Sequence, residues 1–133
     1  MKYLLDTNAC IRYINGRAPN LRAKFLRVSD DDIGVSSITK AEMYYGSSKS
    51  QTPERSRDKQ DEFFKRFVSL PFDDVAADRY GAIRAKLEKA GTPIGAYDLM
   101  IASVALAHNL ILITHNVKEF SRIAELRIED WEG

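Results

Sequence analysis

Leu110-Ile111-Leu112-Ile113-Thr114-His115-Asn116 decides the fold of this chain. The apolar run is unbroken and closes on three polar residues, which reads as a strand buried on both faces, as in the interior of a parallel sheet. The segment before it, Asp98 to about His108, reads as a helix. Its small residues Ala102, Ser103, Ala105 and Ala107 let it lie close against that sheet. The segment after it, Asn116 to Ile123, reads as a short helix, and Leu126-Arg127-Ile128 alternates like an edge strand.

The same alternation starts at the N-terminus. Tyr3-Leu4-Leu5 is a short apolar run that reads as a central strand, and Asp6-Thr7-Asn8 offers caps for a helix over roughly Ala9 to Ile14, ended by Asn15-Gly16. Pro19 opens a second helix with Leu21, Phe25 and Leu26 on one face. A polar turn at Asp30-Asp31-Asp32 precedes a strand at Ile33-Gly34-Val35-Ser36. A helix follows from Thr39 to about Tyr45, ending near Gly46. Pro53 to Val68 reads as a charged amphipathic helix carrying Phe63, Phe64 and Phe67, and Leu70-Pro71-Phe72 as a short extended piece. A long helix runs from Asp73 or Asp74 to about Ala90, with Val75, Tyr80, Ile83 and Leu87 as its apolar stripe. The loop Gly91-Thr92-Pro93-Ile94-Gly95 ends it. Strands alternating with helices imply right-handed crossovers and a parallel sheet with helices on both faces. Ligands in such folds bind at the carboxyl ends of the strands.

The bulk numbers narrow the function classes. A chain of 133 residues suits one core, and 44% hydrophobic with 29% charged residues is ordinary for a globular protein. No apolar run approaches a membrane span, and the N-terminal run is too short for a secretory segment. The lone Cys10 excludes an internal disulfide framework, fits a reducing cytoplasm and reads as a buried small apolar residue. Net charge is +1, so no overall basic field advertises nucleic acid. No phosphate-binding glycine loop is present, and two His with one Cys argue against zinc.

Three carboxylates stand where polar turns meet helices: Asp6, Glu42 and Asp98. Each has an ordinary structural role open to it. Asp6 can cap its helix, Thr39-x-x-Glu42 and Asn116-x-x-Glu119 match capping pairs, and Asp98 can complement a helix dipole. If their turns converge on one crevice, however, the unpaired charges repel and resist ionisation, and a divalent cation with a taste for oxygen ligands relieves that. Metal-assisted chemistry on a phosphate, most simply in RNA, is the reading this favours. A receiver-like phosphoacceptor domain and a non-catalytic binding module are the rivals. The first lacks its usual acidic pair after strand one, and the second treats every acid as a cap.

Leu4-Leu5-Asp6-Thr7-Asn8, Ser36-Ser37-Ile38-Thr39-x-x-Glu42-x-x-Tyr45-Gly46, Gly95-Ala96-Tyr97-Asp98-x-x-Ile101-Ala102 and Leu112-Ile113-Thr114-His115-Asn116-x-x-Glu119-Phe120, in this order, resemble the PIN-domain nucleases. Among them the likeness is closest to the VapC-type toxins of toxin–antitoxin modules. It covers essentially the whole chain, including Arg127-Ile128-Glu129-Asp130-Trp131. The resemblance implies a single domain over residues 1–133 with a three-layer α/β/α fold. Its central, mainly parallel sheet would have about four to five strands.

The resemblance further implies a Mg²⁺-dependent endoribonuclease, with Mn²⁺ as a substitute. Asp6, Glu42 and Asp98 match three acidic positions, Thr7 and Asn8 the polar residues beside the first, and Thr114 the hydroxyl residue ahead of the last. Many members carry Asp where this chain has Asn116. Whether Asn116 or Glu119 completes the set is left open. Phosphodiester hydrolysis is the implied reaction, with Asp6 and Asp98 as direct metal ligands and Glu42 assisting. Structured RNA, including the anticodon region of initiator tRNA, is the implied substrate class. A VapB-type antitoxin and a homodimer are the implied partners, with no membrane. Lys40, Lys49, Arg84, Lys86, His115 and Lys118 are candidates for phosphate contact. Tyr13, Phe25, Tyr44, Tyr45, Phe63, Phe64 and Phe67 are candidates for a partner groove, or for ordinary core packing.

Overall fold

The computed structural model describes residues 1–132. Its elements are β1 Tyr3–Leu5, α1 Thr7–Ile14, α2 Pro19–Phe25, β2 Ile33–Ser36, α3 Ser37–Ser48, α4 Pro53–Phe64, β3 Val68–Leu70, α5 Asp74–Lys89, α6 Ala96–Ala107, β4 Ile111–Ile113, α7 Val117–Phe120 and β5 Ile128–Glu129. The five strands form one sheet in the order β3-β2-β1-β4-β5, and every neighbouring pair is parallel. β1 is central, with Leu4 opposite Gly34 on one side and Leu112 on the other.

The side chains of β1 divide between two cores. Leu4 and Leu112 face a cluster built with α5 and α6, including Ile83, Leu87, Leu99 and Ile101. Tyr3, Leu5 and Ile113 face the opposite cluster, with Cys10 of α1, Leu21 and Phe25 of α2, and Phe63 and Phe64 of α4. Both faces of the sheet are covered. This is why the central strands read as unbroken apolar runs rather than alternating ones. The three-layer parallel expectation holds, and Cys10 is buried as expected.

Several boundaries differ from the sequence expectation, each for a local reason. α1 begins at Thr7 rather than Ala9, because the Asp6 carboxylate accepts the Ala9 N–H at 2.7 Å and fixes the first turn. α3 begins at Ser37 and passes through Gly46 to Ser48. The Ser36 hydroxyl caps it, and nothing crowds Gly46. α4 stops at Phe64, and Val68–Leu70 forms the edge strand β3, where a longer helix and an extended piece at residues 70–72 were expected. Phe63, Phe64 and Phe67 are all buried there. α6 begins at Ala96 rather than Asp98, and α7 is confined to Val117–Phe120. β5 is Ile128–Glu129, not 126–128, because Leu126 is buried in the core ahead of it. Leu26 is 89% exposed and Val75 55% exposed, so neither lies on the stripe expected of it; Ala76 takes the buried place on α5.

β2 and β3 approach closely at Gly34. A Cβ there would come within 2.9 Å of both Leu70 Cδ1 and Met1 Sδ, which accounts for glycine inside a buried strand. The chain leaves β1 for β2 and β3 on one side and returns to β4 on the other. The reversal of direction lies between β1 and β4, where doubly wound sheets open a crevice at their carboxyl ends.

Candidate active site

That crevice is acidic. Asp6 follows β1 directly and is buried, with its backbone N–H still bonded to the Ile113 carbonyl at 3.1 Å. Its side chain caps α1, so the capping role foreseen for it is real. Asp98 sits in the first turn of α6, half-buried, on a helix whose N-cap Gly95 has no side chain to offer. The positive ends of α1 and α6 therefore both favour a nearby carboxylate.

Glu42 is placed differently from the expectation. It lies in the second turn of α3, and the capping box with Thr39 does not form, because Ser36 holds the Thr39 N–H at 3.2 Å. Glu42 instead reaches across to α1, where it accepts the Thr7 hydroxyl at 2.8 Å. Glu119 likewise caps no backbone. It accepts the Asn116 amide Nδ2 at 2.6 Å and comes within hydrogen-bonding reach of the Asp98 carboxyl. Thr114, buried after β4, accepts the Asn116 backbone N–H at 3.0 Å and gives its own hydrogen bond to Asp6. Thr7 and Thr114 are therefore supports, while Asn8 is exposed.

The electrostatics tie the acids into one cluster. Burial pushes the Asp6 carboxyl up to about 6, held back by the Thr114 and Ala9 hydrogen bonds and raised further by the charges of Glu132 and Glu42. Asp98 is pushed up to about 7, first by burial, then by the hydrogen bond and charge of Glu119, then by Asp6 and Glu42. Glu132 is a participant the sequence reading missed. Its side chain is nearly buried and pairs with Arg12 of α1. The only signal for it was its place beside Trp131, which is buried. In the sequence Thr39 reads as half of a capping box and Ser36 as the end of a strand, and neither pattern signals a role at the site.

Among the described residues, no three Asp, Glu, His or Cys side chains stand close enough to form a ready-made metal cage. The donor set still fits a hard divalent cation. It is all oxygen, and its charges raise one another's proton affinity. An open site of this kind leaves ligand positions for water and phosphate oxygens, which Mg²⁺ commonly retains.

The cations expected to touch substrate are mostly engaged elsewhere. Lys40 donates to Ser69 at 2.9 Å, Lys86 pairs with Glu125 at 3.5 Å, Arg84 with Glu88 at 3.0 Å, and His115 Nδ1 with Asp130 at 2.9 Å. Lys118 is exposed. Lys49 stands 4.6 Å from the Tyr45 ring centre. Tyr45 in turn lines a cleft of about 440 Å³ with Ile38, Ala41, Glu42 and Tyr97.

A parallel sheet with acids gathered at its reversal point, backed by hydroxyls and helix N-termini, defines a class. The chain belongs to the PIN-domain family, whose model matches residues 3–126 and whose ribonucleases generally depend on a divalent metal. Within that family its relatives are VapC proteins. It is 42% identical over 131 residues to the tRNA(fMet)-specific endonuclease VapC of Salmonella typhimurium, covering 98% of each chain. It is 41% identical over 133 residues to Ribonuclease VapC2 of Rickettsia felis, covering 99% of each. Among solved structures, the DNA-bound VapBC of Salmonella typhimurium matches with a TM-score of 0.93 at 42% identity, covering 98% of each chain.

Proposed function

We propose that this chain is the toxin of a type II toxin–antitoxin module, a Mg²⁺-dependent endoribonuclease acting as one PIN domain in the cytoplasm. The observation that carries this is the electrostatic convergence of Asp6, Glu42, Asp98 and Glu119 at the sheet's reversal point. Asp6 and Asp98 are the direct metal ligands in this reading. Thr114 fixes the orientation of Asp6, and Asn116 that of Glu119, which serves as the fourth carboxylate. Glu42, anchored by Thr7, would join Asp6 and Asp98 in holding the ion, directly or through a bound water, and would orient the attacking water. A divalent ion held there supplies water of lowered pKa and charge to offset the scissile phosphate, with Mn²⁺ able to stand in for Mg²⁺.

Initiator tRNA is the substrate class that the Salmonella relative's name supports. Cutting it would inhibit translation. The cleft beside Glu42, with Tyr45 and Tyr97 more than half exposed, offers stacking surface for a splayed base of single-stranded loop RNA. A cognate VapB-type antitoxin is the partner that the VapBC complexes support. Of the aromatic residues considered for its groove, Phe25, Phe63, Phe64 and Phe67 are buried in the core. A surface groove of about 500 Å³ remains along α1 and α4, where Tyr13, Ile14 and the edge of Phe63 meet Arg22 and Arg66. A homodimer is the assembly implied by family, and exposed Val75 leaves apolar surface for it.

The test is cleavage of purified tRNA by wild type and by Asp98→Asn, with Mg²⁺ and with EDTA. Metal-dependent cutting lost in the variant is expected. No cutting by folded, antitoxin-free wild type would overturn the reading in favour of a binding module.

A further inference from the structure

Behind Glu42 lies a chain of buried hydroxyls. The Thr7 Oγ1 stands 2.8 Å from Glu42 Oε1 and 3.0 Å from Thr39 Oγ1, and Thr39 Oγ1 lies 3.4 Å from Ser36 Oγ. Ser36 and Thr39 are fully buried and Thr7 nearly so. The direction of the chain follows from counting protons. An ionised carboxylate only accepts, and a hydroxyl has one proton to give. Thr7 must therefore spend its proton on Glu42 and receive that of Thr39. Thr39 in turn receives that of Ser36, whose oxygen is occupied by the Thr39 backbone N–H at 3.2 Å. Every hydrogen runs toward Glu42, and the far end is fixed to the backbone at the start of α3.

This arrangement joins three elements. Ser36 ends β2, Thr39 and Glu42 belong to α3, and Thr7 is the residue after Asp6. A hydroxyl chain of one polarity ties the Glu42 carboxylate to Thr7, the residue that follows Asp6. Hydrogen bonds in a dry setting polarise one another, so the charged end is held more firmly than a lone threonine would hold it.

We infer that Ser36, Thr39 and Thr7 form a one-way hydroxyl relay that positions the Glu42 carboxylate in the acidic site, with Thr39 its obligatory middle member. The inference rests on the ribonuclease reading for its kinetic consequence but not for its binding consequence. Thr39 is a positioning residue: it touches neither metal nor RNA and acts only through Thr7.

The experiment compares Thr39→Val, which keeps the shape and loses the hydroxyl, with Thr39→Ser, which keeps the hydroxyl. Two readings are taken on folded protein: kcat and KM for tRNA cleavage, and Mn²⁺ affinity of the RNA-free protein by titration calorimetry. Partners standing behind a metal-site ligand are typically worth about 10- to 100-fold in affinity or activity. Thr39→Val is expected to lose kcat and Mn²⁺ affinity on that scale with little change in KM, while Thr39→Ser stays close to wild type in both. A folded Thr39→Val that binds Mn²⁺ as wild type does would overturn the relay. So would a Thr39→Ser as impaired as the valine variant, since shape and not the hydroxyl would then be what matters. If wild type cuts no RNA, the ribonuclease reading fails, and the Mn²⁺ titration still decides the relay.

Discussion

The Asp98 and Glu119 carboxyls meet within hydrogen-bonding reach, and the Asn116 amide holds Glu119 there at 2.6 Å. The residue that replaces a familiar acid thus acts as a donor to the next one along. Removing the Glu119 charge should then cost more than removing its support. Glu119→Gln is expected to lower kcat by about 10- to 100-fold, and Asn116→Ala by less, in single-turnover cleavage of tRNA. The reverse order would assign the fourth position to Asn116.

Asp6 combines a cap with a proposed ligand, and the two can be separated. Asn caps a helix about as well as Asp, so Asp6→Asn is expected to keep stability within about 0.5 kcal/mol or gain some at neutral pH. Cleavage should fall by more than about 100-fold, since even supports behind a ligand reach that scale. Thermal melting beside a cleavage assay checks both. Loss of fold would show that the buried carboxylate serves the structure beyond its cap.

The raised carboxyls give the metal-free protein an unusual pH dependence. Asp6 binds its proton up to about pH 6 when folded, against an ordinary value of 3.8 when unfolded. Between those values the native state holds more protons than the unfolded state, so stability falls as pH rises. Full conversion of that rise is worth about 3 kcal/mol for Asp6. Asp98 adds to the loss up to about pH 7. In EDTA these two groups should therefore lower the melting temperature from pH 5 to pH 8. Mg²⁺ is expected to raise it far more at pH 8 than at pH 5, because it binds only the ionised forms. Equal Mg²⁺ stabilisation at both pH values would argue against these acids as ligands.

Trp131 is buried between Tyr3 and Phe25, with ring centres 5.0 and 5.6 Å away and edge-to-face geometry. Trp131→Ala should destabilise by about 3–5 kcal/mol in urea unfolding. A cost below about 1 kcal/mol would mean that the surrounding core collapses to fill the space.

Much of this was legible in the sequence. Sheets buried on both faces write themselves as unbroken apolar runs, so β1, β2 and β4 were found with their carboxyl ends, and Asp6 and Thr114 with them. What local patterns cannot carry was lost. Thr39-x-x-Glu42 looks like a capping box until Thr7, 35 residues earlier, is seen to hold Glu42. β3 hid inside a helical pattern because an edge strand with Val68 and Ser69 exposed has no apolar signature. Glu132 reaches Asp6 only through the closure of the chain's last segment on α1, and no spacing announces that. Lysines were the poorest guides, because a long side chain finds its partner in space, as Lys40 does at Ser69.

The order of the strands has a consequence for how the molecule comes into being. The two halves of the crevice are drawn from opposite ends of the chain, Asp6 from the first strand and Glu119 from beyond the fourth. A ribosome making this protein carries no complete set of acids until residue 119 has been added. Every shorter product lacks at least one of the proposed carboxylates. A protein proposed to cut the tRNA that starts translation would thus lack part of its proposed cutting site until residue 119 is in place.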